Sequence, residues 1–338
     1  MRKILTVFIV FILAFCLVLS ACSKKGTADT GVDGSKSGDV GKHNPLSRIM
    51  IVFSTEQENL WTKQVKVGIS HFLTNKEYEI EEIYLNILPQ SDDNFKINAG
   101  QMAINRFNIY QPGIVLAVDD PAQQYFARHL IGRTDVDIVF CGLEKDPSIY
   151  NYPQANVTGI MSRPQIKQTL QLLDQLISGI ETYTLITDKS DKSELFLRYI
   201  KGSNLKIDMD ILQTDNLDDW MSIIKNLKSD AVIFYNYDKI SGAEGPAELM
   251  DWTVQNLTIP SIAFTEAAIE KGILLGIIES GYEHGAVAAK SVNKIVEGKK
   301  PNQIVIALGR EGLSYINKNT AVKLGLNYNN LDFDKELE

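Results

Sequence analysis

Gly113-Ile114-Val115-Leu116-Ala117-Val118-Asp119-Asp120-Pro121 is the stretch that decides how this chain reads. A short, unbroken apolar run suits a strand buried on both faces of a parallel sheet, since a half-exposed strand would alternate apolar and polar residues. The run ends on two acids and a proline. Asp120 before Pro121 marks a helix start, because an aspartate caps the first turn and proline lacks only an N–H that would be unpaired there. One strand feeding one helix is the unit to look for elsewhere.

It recurs in both directions. Upstream, Arg48 to Phe53 reads as a strand, and Asn59 to Thr74 as a helix with Leu60, Val67, Ile69, Phe72 and Leu73 on its apolar face. Strand Tyr78 to Ile87 and helix Asn94 to Tyr110 follow. Downstream come helix Ala122 to Ile131 and strand Asp137 to Cys141. The rhythm restarts after a connecting strand at Val157 to Met161, with helices opening near Pro164, Lys192, Asp218, Glu244, Glu266 and Tyr282. Strands at Thr182, Lys206, Ala231, Ser261, Ile273 and Ile304 lie between or after them. Alternation of this kind implies parallel sheets with helices on both faces. Two such series imply two lobes, and ligands of such sheets collect beyond the carboxyl ends of the strands.

The amino end has a different character. Arg2 and Lys3 precede an apolar run from Ile4 to Leu19 that closes on Leu19-Ser20-Ala21-Cys22. The run is shorter than the roughly 20 residues a permanent membrane span needs, and it has the layout of an export signal. Its ending resembles the lipobox of bacterial lipoproteins, which implies cleavage after residue 21 and acylation of Cys22. Acyl chains on Cys22 would moor the protein firmly, at about 0.8 kcal/mol per buried methylene. Residues 22–46 are rich in Ser, Lys, Gly, Asp and Thr, a composition that behaves as a flexible tether. The mature protein is therefore expected outside the cytoplasm, on a membrane.

With a net charge of −8, more acidic still once Arg2 and Lys3 are removed, and no basic block, nucleic acid is not an expected partner. Cys16 falls in the signal and Cys22 is the lipidation site, which leaves Cys141 without a disulfide partner. It sits in an apolar run with no histidine near in sequence, so packing is its expected role.

Gly113 to Gln124, Asp137 to Pro147 (Asp-Ile-Val-Phe-Cys-Gly-Leu-Glu-Lys-Asp-Pro) and Asn156-Val157-Thr158-Gly159, in that order, resemble the ABC transporter substrate-binding protein family that includes tryptophan-binding lipoproteins. Ile51 to Ser54 with Trp61, Val296 to Pro301, and Ala321 to Leu326 fit the same pattern, so the resemblance spans residues 48 to 327. It implies an α/β, type I periplasmic-binding-protein fold: two lobes, each a parallel sheet flanked by helices, joined by three crossovers. Lobe I would comprise 47–160 plus 274–300, and lobe II 161–273 plus 301–338. The resemblance also implies a monomer that captures a small molecule and delivers it to an ABC permease with its ATPase. The alternative is a tethered sensor that reports its closed state to a separate receptor.

Residues at strand ends are the site candidates. In the first lobe these are Ser54 and Thr55, whose hydroxyls with free N–H groups of the next helix suit a carboxylate, then Asp119, Asp120 and Gly142. Asp120 has a capping role available to it, whereas Asp119 lacks a local one and is the better partner for a ligand ammonium or hydroxyl. Trp61 offers a stacking face. In the second lobe Tyr235, Asn236 and Tyr237, with Thr265 and Glu266, follow strands and offer rings, an amide, a hydroxyl and an acid. With Arg163 and Arg133 as the only nearby arginines, both read as solvated, the site is expected to hold few cations. It suits an amino acid or related small amine better than a dianion, with a lean toward an aromatic one.

No catalytic pattern competes. His43, His71, His129 and His284 form no metal-ligand spacing, and there is no nucleophile elbow or phosphate-cradling loop. Neither an enzyme activity, a metal nor a cofactor is expected.

Overall fold

The computed structural model describes residues 47–74, 77–87 and 92–338; the signal segment, Cys22 and the tether lie outside the described residues. The chain runs β1 (Arg48–Phe53), α1 (Leu60–Phe72), β2 (Glu79–Tyr84), α2 (Asp93–Tyr110), β3 (Ile114–Val118), α3 (Asp119–Tyr125), β4 (Asp137–Leu143) and β5 (Val157–Met161). It continues with α4 (Ile166–Leu176), β6 (Thr182–Thr187), α5 (Asp191–Gly202), β7 (Asp208–Gln213), α6 (Leu217–Lys225), β8 (Ala231–Phe234), α7 (Pro246–Asn256), β9 (Ser261–Ile262) and α8 (Glu266–Glu270). Last come β10 (Leu275–Glu279), α9 (Gly281–Val296), β11 (Ala307–Leu308), β12 (Gly312–Asn317), α10 (Lys318–Lys323) and β13 (Lys335–Leu337).

Two sheets result. The first has the order β11-β5-β4-β3-β1-β2, parallel throughout. The second has the order β13-β12-β10-β9-β8-β6-β7 and is parallel except where β12 runs against β10. β3 shows why the run at 113–118 is continuous. Val115 and Ala117 pack on one face of the first sheet with Met50 and Val52, while Ile114, Leu116 and Val118 pack on the other with Ile49, Ile51 and Phe53. Both faces are covered, so no polar residue is tolerated in either.

The expected two-lobed architecture is present, and among the described residues the chain passes between the sheets three times: at 162–165, at Ser280 and at 309–311. Two segments pair differently from the expected division. β10 lies in the second sheet, where Leu275 pairs with Ile262, although 274–300 was expected in lobe I. β11 lies in the first sheet, where Ala307 pairs with Ile160, although 301–338 was expected in lobe II. The cause is local. Gly276 lets β10 press against the Ala263 carbonyl, which would lie 1.9 Å from any Cβ there. The helix that follows, α9, buries Ala288, Ala289 and Val292 under the first sheet.

Helix α1 meets α9 almost backbone to backbone. A Cβ on Gly68 would stand 2.1 Å from the Tyr282 carbonyl oxygen, and one on Gly285 would stand 2.0 Å from that of Val65. This crossing sets the face of α1: Thr62, Val65, Gly68 and Ile69 are buried. Leu60 and Val67, expected on the apolar face, are exposed. Among the described residues no helix is long and apolar enough to cross a membrane.

Candidate functional site

The carboxyl ends of β1, β3 and β4 converge on one corner. Asn59 caps α1 by accepting the Thr62 N–H at 3.2 Å, and Trp61 in the first turn then donates its indole Nε1–H to Asp119 Oδ1 at 2.8 Å. Asp119 itself holds a left-handed backbone (φ 67°), uncommon outside glycine, so its carboxyl is presented at the cost of strain. Gly142 (φ 70°) faces it: a Cβ there would lie 2.6 Å from Asp119 Oδ1 and 3.2 Å from the Trp61 ring. Burial pushes the Asp119 carboxyl up to about 8, against the Trp61 N–H, which pulls it down; the charges of Glu144 and Asp120 add to the rise.

Neighbouring candidates turn out to build this corner. Ser54 is buried, donates its hydroxyl to the Val118 carbonyl at 2.6 Å and accepts the Ala122 N–H at 2.9 Å, which ties β1 to β3 and leaves the hydroxyl no free face. Thr55 shares a hydrogen bond with Thr62 at 2.6 Å and still lines the cavity. Asp120 is not the helix cap: Val118 takes that position without a side-chain bond. The Asp120 carboxylate instead accepts the Glu144 N–H at 2.9 Å and the Tyr150 hydroxyl at 2.7 Å, fastening the loop after β4. Cys141 is buried and free, and burial raises its thiol well above the usual range, so it packs rather than reacts.

The second lobe supplies an aromatic wall. Tyr235 stacks on Phe196 with ring centroids 3.8 Å apart, and Phe264 stands 6.3 Å from Tyr235 at a steep angle. Tyr237 and Thr265 line the same hollow, where Thr265 also caps α8. Asn236 reaches the hollow, but its amide is engaged. It donates to Asp188 Oδ2 at 2.8 Å and Ser190 Oγ at 3.0 Å, inside a buried knot around Asp188. Glu266 lies outside both hollows and accepts the Tyr315 hydroxyl.

A cavity of about 1010 Å³ is lined by Thr55, Trp61, Asp119 and Gly142, and a second of about 290 Å³ by Tyr235, Asn236 and Tyr237. Glu144, Ser162, Lys192, Leu195, Phe264 and Glu279 line both, so the two are parts of one cleft between the sheets. The expected shortage of cations is corrected: Lys96, Lys145, Lys192 and Arg198 line the larger part. Lys192 at the start of α5 pairs across the cleft with Glu144 at 2.9 Å. Arg163, expected to be solvated, lines the smaller part, and burial lowers its guanidinium. Arg133 pairs with Asp135 on the surface, as expected.

Sequence reasoning missed Glu279, the last residue of β10. It accepts the Ser162 hydroxyl at 2.5 Å and the Arg163 N–H at 2.6 Å, with His284 Nε2 at 3.4 Å. Burial pushes its carboxyl up, but His284, Ser162 and the Arg163 N–H outweigh that and hold it below its ordinary value. Glu283 does the same for the third crossover, accepting the Arg310 and Glu311 N–H groups at 3.0 and 2.8 Å. Two carboxylates thus stitch the three crossovers together. Glu279→Ala is expected to speed hydrogen exchange at the Arg163 amide and to cost about 1–3 kcal/mol, the usual penalty for orphaning buried donors; unchanged exchange would remove this role.

Residues 51–331 match the family model described as ABC transporter substrate binding protein. Among solved structures, the ligand-free, open form of a substrate-binding protein with adhesive properties from Clostridium difficile superposes with a TM-score of 0.69 at 16% identity, over 86% of this chain and 99% of that one. An ABC domain in complex with L-Trp from Streptococcus pneumonia gives 0.55 at 17%, and a conserved domain protein from Vibrio cholerae 0.57 at 16%, each over the same shares. At these identities the likeness speaks for the fold. No match was found among curated proteins. The family match over nearly all of the described residues, on two sheets that enclose a polar and aromatic cleft, places this chain in the ABC transporter substrate-binding protein family.

Proposed function

We propose that the protein captures an amino acid or a related small amine between its lobes, outside the cytoplasm, and hands it to an ABC permease driven by its ATPase. The lipobox-like ending at Cys22 supports anchoring to a bacterial membrane through that residue. One observation carries the ligand class. An acid, Asp119, is held by an indole N–H in the wall of a cleft whose opposite side is ringed by Tyr235, Phe196 and Phe264. A carboxylate in that wall suits an ammonium group by direct charge-assisted pairing. The aromatic wall suits a flat or apolar remainder, and Arg163 near it suits a ligand carboxylate. The correct molecule contacts both lobes at once and so shifts an open–closed equilibrium that exists without it.

A thermal-shift panel of amino acids, nucleosides and small amines tests this. A true ligand at a hundred times its Kd stabilises by about 2.7 kcal/mol through mass action. Tyr235→Ala is expected to abolish the shift given by an aromatic amino acid, while the variant still melts cooperatively. A shift that survives both Tyr235→Ala and Asp119→Ala would place the ligand elsewhere.

A further inference from the structure

We propose that uptake of a cationic amine at the Trp61–Asp119 corner is coupled to the release of one proton from that corner to solvent. The inference rests on the amine reading above and goes beyond it, because it concerns the charge state of the empty site. Its geometric basis is an acid without a counter-ion. The only side-chain hydrogen bond to the Asp119 carboxyl among the described residues comes from the uncharged Trp61 indole. Of the cations that line the cavity, Lys192 pairs with Glu144 and Lys96 with Asp93, Arg198 acts on Asp146 and Lys145 on Asp120, and none of the four is among the groups that act on the Asp119 carboxyl.

Of the ionisable groups that face Asp119, Asp120 beside it and Glu144 just past β4 oppose its charge, while the Cys141 thiol on β4 is held uncharged by burial. His284 of α9 lies behind the Trp61 ring, at 5.2 Å between centroids, rather than against the carboxyl. An Asp119 carboxyl in this setting, pushed up to about 8, carries its proton in the empty cleft at neutral pH. An ammonium placed against it favours the carboxylate. The ammonium keeps its own protons, the carboxyl proton leaves to water, and the ion pair is made in the cleft. Affinity for an amine should then rise about tenfold per pH unit from pH 6 to near 8 and level off above it. A neutral Asp119 that merely donated a hydrogen bond to a ligand oxygen would give the opposite slope, with affinity falling as the pH rises through 8.

Calorimetry with L-tryptophan and with tyramine, each at pH 7.0 in phosphate and in Tris, reads the proton count from the difference in buffer ionisation heat. Close to one proton released per amine is expected, together with tighter binding at pH 8 than at pH 6. Indole-3-propionate, which lacks the ammonium, should release none. Asp119→Asn keeps a group able to accept the Trp61 N–H and should eliminate the release. Binding of either amine with no proton exchange, or tighter binding at pH 6, would overturn the coupling and leave the amine reading standing. Failure of both amines to bind at either pH, with a hit for a neutral compound in the thermal-shift panel, would overturn the amine reading and the coupling with it. A separate signal needs no ligand: the Trp61 indole N–H resonance, assigned with Trp61→Phe, should titrate near pH 8 in the free protein and not in Asp119→Asn. A flat profile from pH 6 to 9.5 would also overturn the proposal.

Discussion

Asp119→Asn is expected to weaken capture of an amine about a hundredfold while leaving the melting temperature of the free protein within a degree or two. Truncating or neutralising one partner of a desolvated charge pair costs 2–5 kcal/mol of binding, and about 2.7 kcal/mol is a hundredfold. Asparagine is the informative replacement because Asp119 has φ 67°, a conformation asparagine tolerates and most residues do not. The amide oxygen can also accept the Trp61 N–H that the Asp119 carboxyl oxygen now accepts at 2.8 Å. Asp119→Ala mixes two effects, since alanine at that backbone angle adds roughly 1–2 kcal/mol of strain. Titration calorimetry with L-tryptophan, beside a melting curve of the free variant, separates them. Unaltered affinity in the asparagine variant would mean that Asp119 does not touch the ligand.

The second large effect concerns stability. At the α1–α9 crossing, Gly285→Val is expected to destabilise the protein by at least about 3 kcal/mol, the upper part of the usual range for overpacking. The obstacle is the Val65 carbonyl 2.0 Å from the new Cβ, with the Ile69 nitrogen at 2.9 Å, and both are helix backbone. Backbone does not rotate away as a side-chain tip does, so the two helices must separate. A loss of that size lowers the melting temperature by roughly 5 °C in a chain of this length. Because α1 carries Trp61, the same change should also weaken ligand binding. Gly202→Ala is the control: a Cβ there meets no atom within 4 Å, and its melting temperature should stay within about 2 °C of the parent. A Gly285→Val protein that melts with the parent would show that the crossing has slack.

How far this site can be read from sequence follows from where its contacts come from. Asp119 was legible because it directly follows a run buried on both faces and precedes a residue pair with its own helix-start chemistry. Tyr235 was legible for the same reason at the end of β8. Asp120 looked like a cap, and only the folded loop after β4 offered it better donors in Glu144 N–H and Tyr150. Glu279 was illegible because its chemistry needs Ser162 and Arg163 from another crossover, and the strand it ends pairs in the sheet opposite to the one expected. Lys192 and Arg198 were hidden on a helix that reads as surface until the facing lobe is in place. Ser54 shows the converse error. A hydroxyl at a strand end looked available, but the adjoining backbone consumes it.

The pairing of β11 with β5 carries a consequence for biogenesis. Ile160 emerges in the first half of synthesis, and its neighbour Ala307 only near the end. Until then one margin of the earlier sheet has unmatched amide and carbonyl groups, an adhesive surface for any other extended chain. Contacts so distant along the polypeptide form slowly. The nascent protein should therefore depend on a holding chaperone for longer than its size alone suggests, and shortening the chain before residue 307 should produce aggregates rather than a smaller soluble body.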